Sequence, residues 1–307
     1  AELRIQDGCD AHCTFCIIPK IRTTLRSKTI EDTVIEATRL VELGHKEIVF
    51  TGVFIGAYGH DTALRRKQES PDTEHLADLL DSVAQISGLQ RLRISSMEPG
   101  DVTPVLLDSM IANRKVVVPH LHLPLQSGSD AVLQKMNRQY KTEQYLEMIA
   151  MVNERLTADS IPPAITTDII CGFPSETEED FNKTVEVAIK VGYLHMHVFP
   201  YSVRSGTAAA RWKQHAPNAV RSRVQTLLQL DNELSLEYRN TLHGKQVHVM
   251  LEQKDEETGL FRGRSQYYAE ISLKTSASIG ELVLATVTEV SKNATVAKQD
   301  MTILNNT

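Results

Sequence analysis

Three of the chain's four cysteines fall within the eight residues CDAHCTFC, as Cys9, Cys13 and Cys16, directly behind a short apolar run from Leu3 to Gln6. No other feature narrows the possible folds so far, because three thiols this close either face one centre or stay idle. The fourth, Cys171, stands in the apolar run Ile169-Ile170-Cys171 and reads as a small buried residue. A disulfide framework would want an even, dispersed set in a small secreted chain. A redox pair of Cys13 and Cys16 leaves Cys9 unexplained. Structural zinc needs four ligands, and the one local addition, His12, adjoins Cys13, so that their side chains tend to diverge. A [4Fe-4S] cube held by three thiolates uses all of them and leaves one iron for an exchangeable ligand. Phe15, between the last two cysteines, either shields such a cluster or fills a gap in its loop.

A scaffold for such a loop is written into the rest of the chain. Strand-like runs recur at Glu47–Gly52, Arg91–Ser96, Val118–Gln126, Ala164–Gly172 and Leu194–Tyr201, which with Leu3–Gln6 makes six. Between them lie helical stripes such as Val34, Ala37 and Val41, or Leu76, Leu79, Leu80 and Val83. Acids at Glu176, Glu178 and Glu179 mark a helix start, and Gly44 and Gly192 mark helix stops. Alternating strands and helices predict an α/β parallel sheet with right-handed crossovers, and six such units are too few to close an ordinary eight-fold barrel. Chemistry then belongs at the carboxyl ends of the strands. Thr51-Gly52, Ser96 to Glu98, Gln126 to Ser129 and Cys171-Gly172 fall there, although ordinary turns use the same residue types. A long helix over Asn218–Asn240 closes this unit. From Gly244 the texture changes to five short strands, which read as a small all-β barrel of the oligonucleotide-binding kind. The boundary is expected near residue 241, giving domains 1–240 and 241–307.

Composition excludes rather than identifies. With 41% hydrophobic and 23% charged residues the chain is neither disordered nor fibrous, and no run reaches the length of a membrane span. A net charge of −6 argues against a protein that coats nucleic acid with its whole surface, so any such contact is local. Two basic groups offer it: Lys20, Arg22, Arg26 and Lys28, and Arg204, Arg211, Lys213, Arg221 and Arg223. Tyr267, Tyr268 and Phe261 could stack on bases or pack in the small barrel.

The C-x-x-x-C-x-x-C spacing after a strand resembles the radical S-adenosylmethionine enzymes, and the resemblance implies that the six units form that family's α/β open (βα)6 three-quarter barrel. The blocks IQDGCDAHCTFCIIP, GHKEIVFTGVFIGAYG, RLRISSMEP, HLHLPLQSGSDAVLQKMNR and TTDIICGFPSETEEDF, in that order, resemble the methylthiotransferases among them. The terminal HGKQVHVMLEQ and Tyr267-Tyr268 resemble their RNA-binding TRAM domain. Val53, Phe54 and Ile55 after Gly52 resemble the branch acting on N6-threonylcarbamoyladenosine in tRNA, rather than those acting on isopentenyladenosine or a ribosomal protein. The resemblance implies that Cys9, Cys13 and Cys16 hold the [4Fe-4S] cluster. Its open iron binds S-adenosylmethionine, which one electron cleaves to an adenosyl radical, and a methylthio group is installed at C2 of the adenine beside the anticodon. Cofactor contacts are expected from Gly172 and Gln126 near adenosine, Thr51 and Gly52 near the methionine moiety, and Ser96 or Glu98 near a ribose. Asp168, His120 and His122 are read as structural first. An electron donor such as a flavodoxin or ferredoxin, a reducing cytoplasmic setting and a monomeric state are also expected. Family members carry a further N-terminal domain whose three cysteines hold a second [4Fe-4S] cluster. That domain is expected only in a longer chain, so this one is read as a fragment or as unable to complete sulfur insertion. Thr23 stands where the family commonly has Gly.

Overall fold

The computed structural model describes residues 1–60, 62 and 75–300. The apolar opening run forms β1 (Glu2–Asp7), which takes β2 (Arg26–Ser27) as a short antiparallel partner and β3 (Glu47–Gly52) in parallel on its other side. Before β3, the chain forms α1 (Ile18–Ile21) and α2 (Ile30–Glu42), the latter capped by the Thr29 hydroxyl, which accepts from the Asp32 N–H. There follow α3 (Leu76–Ala84), β4 (Arg91–Ile94), α4 (Pro104–Ala112), β5 (His120–His122), α5 (Asp130–Met136), α6 (Thr142–Leu156), β6 (Ala164–Cys171), α7 (Glu178–Val191), β7 (His195–Pro200) and α8 (Pro217–Asn240).

Parallel pairing runs β1-β3-β4 and β5-β6-β7, and the bridges Leu92–Val117 and Ser96–His122 carry it across the gap between β4 and β5. The six parallel strands therefore stand in chain order around one open arc, with helices outside, as the alternation of patterns predicts. Leu3, Ile5, Ile48, Phe50, Leu92 and Ile94 are buried between this sheet and α2 to α4, which is why the opening run must be apolar. At α7 the predicted cap is observed: Thr177 and Asp180 satisfy each other's backbone N–H groups, and Gly192 ends the helix at φ 70°.

One strand is shorter than its sequence suggests. Of Val118–Gln126 only His120–His122 pairs regularly. Pro119 and Pro124 have no N–H to give a ladder, and Gln126 turns the chain at φ 60°. The run still follows β6 through single bonds, with the Leu123 and Gln126 N–H groups on the Thr166 and Asp168 carbonyls.

After α8, five strands close into a small barrel: β8 (Gln246–Lys254), β9 (Phe261–Ser265), β10 (Glu270–Lys274), β11 (Leu282–Val290) and β12 (Thr295–Gln299), in the order β10-β12-β11-β8-β9. Val247, Val249, Leu251, Ile271, Leu273, Val283 and Val287 fill it. Gly263 cannot be larger, since a Cβ there would lie 1.9 Å from the Met250 carbonyl oxygen.

The small barrel is fixed to the amino ends of the parallel strands. Arg91, at the start of β4, is 1% exposed and donates to the carbonyls of His248 (2.7 Å) and Arg264 (3.0 Å), as well as to Glu47 (3.2 Å). Arg93 pairs with the other Glu47 oxygen at 3.0 Å. Tyr268 stacks on His120 with ring centroids 4.3 Å apart, and Arg239 of α8 donates to Ser291 and Thr295. A buried guanidinium is costly unless it is paired, and the bonds of Arg91 and Arg93 to Glu47 and to small-barrel carbonyls hold the two folds in one geometry.

Candidate metal and cofactor centre

The cysteine loop leaves β1 at the carboxyl end, where the parallel arc opens. Gly8 permits the exit: at φ 85°, a Cβ there would lie 2.1 Å from the Thr24 carbonyl oxygen. Gln6, 2% exposed, ties the loop to its neighbour, its Nε2 donating to the Gly8 carbonyl (2.9 Å) and its Oε1 accepting from the Phe54 N–H (2.7 Å). On the far side Thr14 donates through its N–H and its hydroxyl to the carbonyls of Met136 (3.0 Å) and Lys135 (2.8 Å), and accepts from the Ala209 N–H (2.9 Å). The loop is thus fixed at its start by Gln6 of β1 and further on by the end of α5 and by Ala209.

Cys9 and Cys13 pack with Ala11, Ala57, Ile18, Leu25, Val53 and Phe54 in a small apolar cluster, and all three thiols of the loop are free of disulfides. Burial pushes the Cys9 thiol up to about 11, and pushes Cys13 up against the opposing charge of Arg138. Thiols in so dry a setting ionise by binding a metal. Arg138 supplies the compensating cation: its Nη1 donates to the Cys13 sulfur at 3.3 Å, and its Nη2 meets Glu98 at 2.6 Å. The donor set fits an iron–sulfur cube better than one zinc ion. Among the described residues, the only three ligand groups whose atoms all lie within 4.8 Å of one another are His122, Asp168 and His197. The three thiols are therefore more widely spread than the ~3.8 Å sulfur separations of a tetrahedral site with Zn–S bonds of about 2.3 Å.

The other expected contacts are spread around the mouth. Thr51 and Ser96 line a cavity of about 600 Å³ inside the arc. Gly52 pairs with Gln6, and a Cβ on it would press on Ile55 at 2.9 Å. Glu98 is the partner of Arg138, and its side chain is 10% exposed. Gln126 forms a bridge with Ile169 at its left-handed turn. The Gly172 N–H donates to Glu176 (2.8 Å), whose carboxylate meets Arg223 at 2.6 Å. Cys171 is 1% exposed, and burial pushes its thiol up to about 12, as its apolar run suggests. Phe15 packs edge-on to Phe173, with ring centroids 6.4 Å apart.

The lumen carries a polar patch that periodicity only hinted at. His120 and His122 do share a side: both rings hydrogen-bond the Thr166 hydroxyl, at 3.0 and 2.9 Å. His122 Nε2 also meets Asp168 at 3.3 Å. Asp168 lies opposite His197 across β6 and β7, so three strands converge here. Burial lowers His197, and lowers fully enclosed His120 much further, with Arg93, His122 and Arg264 adding to the effect. Met250, Glu252, Arg264 and Tyr268 of the small barrel complete the cavity. The sequence pointed to His120, His122 and Asp168 but not to His197 or Arg138, whose places are set by how distant elements pack.

Two expectations about RNA contact need correction. Arg223 does not belong to a basic surface, because it is buried on Glu176 and Glu178. Tyr267 is buried in the small barrel and Tyr268 is spent on His120, with Arg93 and Arg264 against its ring. Of the first basic group, Arg22 pairs with Asp7 and Lys28 with Glu36. Arg204, Arg211, Lys213 and Arg221 remain exposed.

Comparison with known proteins follows this geometry. Residues 3–188 match the family model of the radical SAM superfamily. The chain is 36% identical over 92% of its length to the threonylcarbamoyladenosine tRNA methylthiotransferase of Bacillus subtilis, covering 61% of that protein. It is 37% identical, again over 92%, to the tRNA-2-methylthio-N(6)-dimethylallyladenosine synthase of Acetivibrio thermocellus, covering 57% of it. The chain thus spans about three fifths of the relatives it matches, and they bear out the resemblance to methylthiotransferases. Among solved structures, coproporphyrinogen III oxidase from Escherichia coli, described as a radical SAM enzyme, superposes with a TM-score of 0.52 at 15% identity, over 94% of this chain and 66% of that one. A radical S-adenosylmethionine methyltransferase from Kitasatospora setae gives 0.54 at 15% identity, over 68% and 38%. These two show the same fold.

Proposed function

The chain belongs to the radical S-adenosylmethionine superfamily, and on that premise we propose that it is a tRNA methylthiotransferase modifying C2 of N6-threonylcarbamoyladenosine beside the anticodon. The observation that carries the reading is the position of the cysteine loop: three free thiols in a segment that leaves the carboxyl end of β1 and is tied through Thr14 to the end of α5 and to Ala209. When bound there, a [4Fe-4S] cluster with S-adenosylmethionine supplies one-electron cleavage of a sulfonium and a radical able to abstract hydrogen.

The chain's own residues do the rest. Cys9, Cys13 and Cys16 would hold the cluster, and Arg138, which donates to the Cys13 sulfur, would offset negative charge there. Thr51, Gly52, Ser96, Glu98, Gln126 and Gly172, at or just past the ends of successive strands, would contact the cofactor. Lumen groups such as His122 and Asp168 offer hydrogen-bond partners to a base inserted from the mouth. Residues 1–240 form the catalytic domain, and residues 241–307 act as a TRAM-like RNA-binding domain through faces other than Tyr267 and Tyr268. Val53-Phe54-Ile55 favours the threonylcarbamoyladenosine branch. Isopentenyladenosine is the second reading, supported by relatives of equal identity. A flavodoxin or ferredoxin serves as donor in a reducing cytoplasm. Among the described residues no helix is long and apolar enough to cross a membrane.

The test is anaerobic reconstitution followed by nucleoside mass spectrometry of tRNA from cells lacking the gene. A brown protein with about four irons and four sulfides, and loss of methylthio-threonylcarbamoyladenosine restored by the gene, are expected. Colourless protein with one zinc, or an unchanged methylthio-adenosine content, overturns the proposal.

A further inference from the structure

The mouth of the arc carries a second pocket that none of these roles uses. A cavity of about 510 Å³ lies between the end of α5 and the loop before α8, and Lys135, Pro174, Ser175, Trp212, Lys213 and His215 line it. Trp212 is the chain's one tryptophan and is 36% exposed. Fully buried Phe173 meets its ring at right angles, 5.7 Å between centroids. The loop that carries it is pinned. Gln214 Nε2 donates to the carbonyls of Trp212 (2.7 Å) and Ala209 (3.2 Å), and His215 Nε2 lies 3.1 Å from the Phe173 carbonyl oxygen. An indole held in place with a third of its surface open is a pre-set platform, because little side-chain freedom is left to lose on binding.

The Lys135 wall of this pocket, and Ala209 just ahead of the Trp212 loop, are bonded to Thr14, which follows the second cysteine of the loop. The carbonyls of Lys135 and Met136 accept from Thr14, and the Ala209 N–H donates to Thr14. Whatever sits on Trp212 is therefore held in fixed register with the cysteine loop. The loop that carries Trp212 is basic: between Arg204 and Arg223 the sequence has no acid, and Arg204, Arg211, Lys213 and Arg221 are exposed, while the acids of the facing segment begin at Glu176, just past Ser175. Lys135 adds a cation from the opposite wall and is exposed too. An aromatic platform ringed by cations suits a nucleobase with its phosphates, since stacking tolerates any base and the cations follow the backbone.

We propose that this pocket receives one unpaired nucleotide of the RNA substrate, its base stacked on Trp212 and its phosphates against Lys135 and Lys213. The proposal rests on the tRNA reading above. It gives that reading a positioning site outside the lumen, which holds a neighbour of the reacting nucleotide while the latter enters the arc.

The single tryptophan makes the test direct. Titration of the reconstituted chain with an anticodon stem-loop RNA should quench Trp212 fluorescence saturably. By anisotropy of the labelled RNA, Trp212→Ala should weaken binding about 5- to 150-fold, the equivalent of ~1–3 kcal/mol for one stacked base. Trp212→Phe should keep most of the affinity, and Lys135→Gln with Lys213→Gln should lower the salt slope by about one to two. Unchanged RNA affinity in Trp212→Ala overturns the pocket while leaving the tRNA reading intact. Absence of any RNA binding by the unaltered chain overturns the tRNA reading itself. Equal quenching by S-adenosylmethionine alone, undisplaced by RNA, assigns the pocket to the cofactor and ends the proposal.

Discussion

Replacing Arg138 with Met should cost more stability than any surface change in this chain, and the reason is local. The guanidinium is 7% exposed and the Glu98 carboxylate 10%, with 2.6 Å between them. The same guanidinium donates to Cys13 and lies 5.2 Å over the Tyr140 ring. Removing it takes the guanidinium from a buried ion pair, which costs about 3–5 kcal/mol. For a chain of this size that corresponds to roughly 5–8 °C in Tm. The double change Arg138→Met with Glu98→Gln should cost less than the sum of the two single changes, with a coupling on the order of 2 kcal/mol, because it removes both charges of the pair together. Thermal unfolding of the reduced, iron-free chain, followed by circular dichroism under argon, measures all four corners of the cycle without interference from iron loading. A loss below about 1 kcal/mol for Arg138→Met, or a double variant as unstable as the sum of the singles, refutes the claim that this pair is buried and mutually dependent.

Three further outcomes follow from particular residues. Cys13→Ala should lose most bound iron and abolish S-adenosylmethionine cleavage, read by iron assay and by 5′-deoxyadenosine release; full cleavage by that variant contradicts the ligand assignment. Arg91→Met should destabilise by about 3–5 kcal/mol and make residues 241–300 more susceptible to limited proteolysis, since its donors to His248 and Arg264 hold the small barrel; an unchanged digestion pattern argues against that attachment. His120 is enclosed and held neutral, its pKa lowered chiefly by burial, so the unfolded chain binds a proton that the folded chain refuses. Its contribution is present above the unfolded value of about 6.5 and is lost as pH falls below it, by up to ~1.4 kcal/mol per pH unit. Urea midpoints between pH 7.5 and 5 should fall accordingly, and His120→Leu should flatten the slope.

The sequence carries the arc and the cysteine loop in plain form because both depend on short-range information. Strand runs, helix stripes and caps such as Thr177 with Asp180 repeat over a few residues, and the thiol spacing lies within eight. What surrounds the thiols is different. Arg138 stands 125 residues from Cys13 and Arg91 stands 157 from His248, so each contact is set by how elements pack. The tyrosines show the same limit: Tyr268 satisfies the pattern of a stacking aromatic, and its partner turns out to be His120 of the other fold. Arg223 sits among exposed basic residues in the sequence, yet the turn of α8 directs it inward to Glu176. The prolines at 119 and 124 were visible, and they explain why one expected strand shrank to three residues.

The small barrel stands at the foot of the arc, opposite the thiols, and Met250, Glu252, Arg264 and Tyr268 supply part of the lumen wall. A truncation before residue 241 would therefore not leave the arc intact. It would unroof the chamber from below and wet Arg91, Arg93 and His120. The tail is masonry for the chamber above it, and the two should fail together.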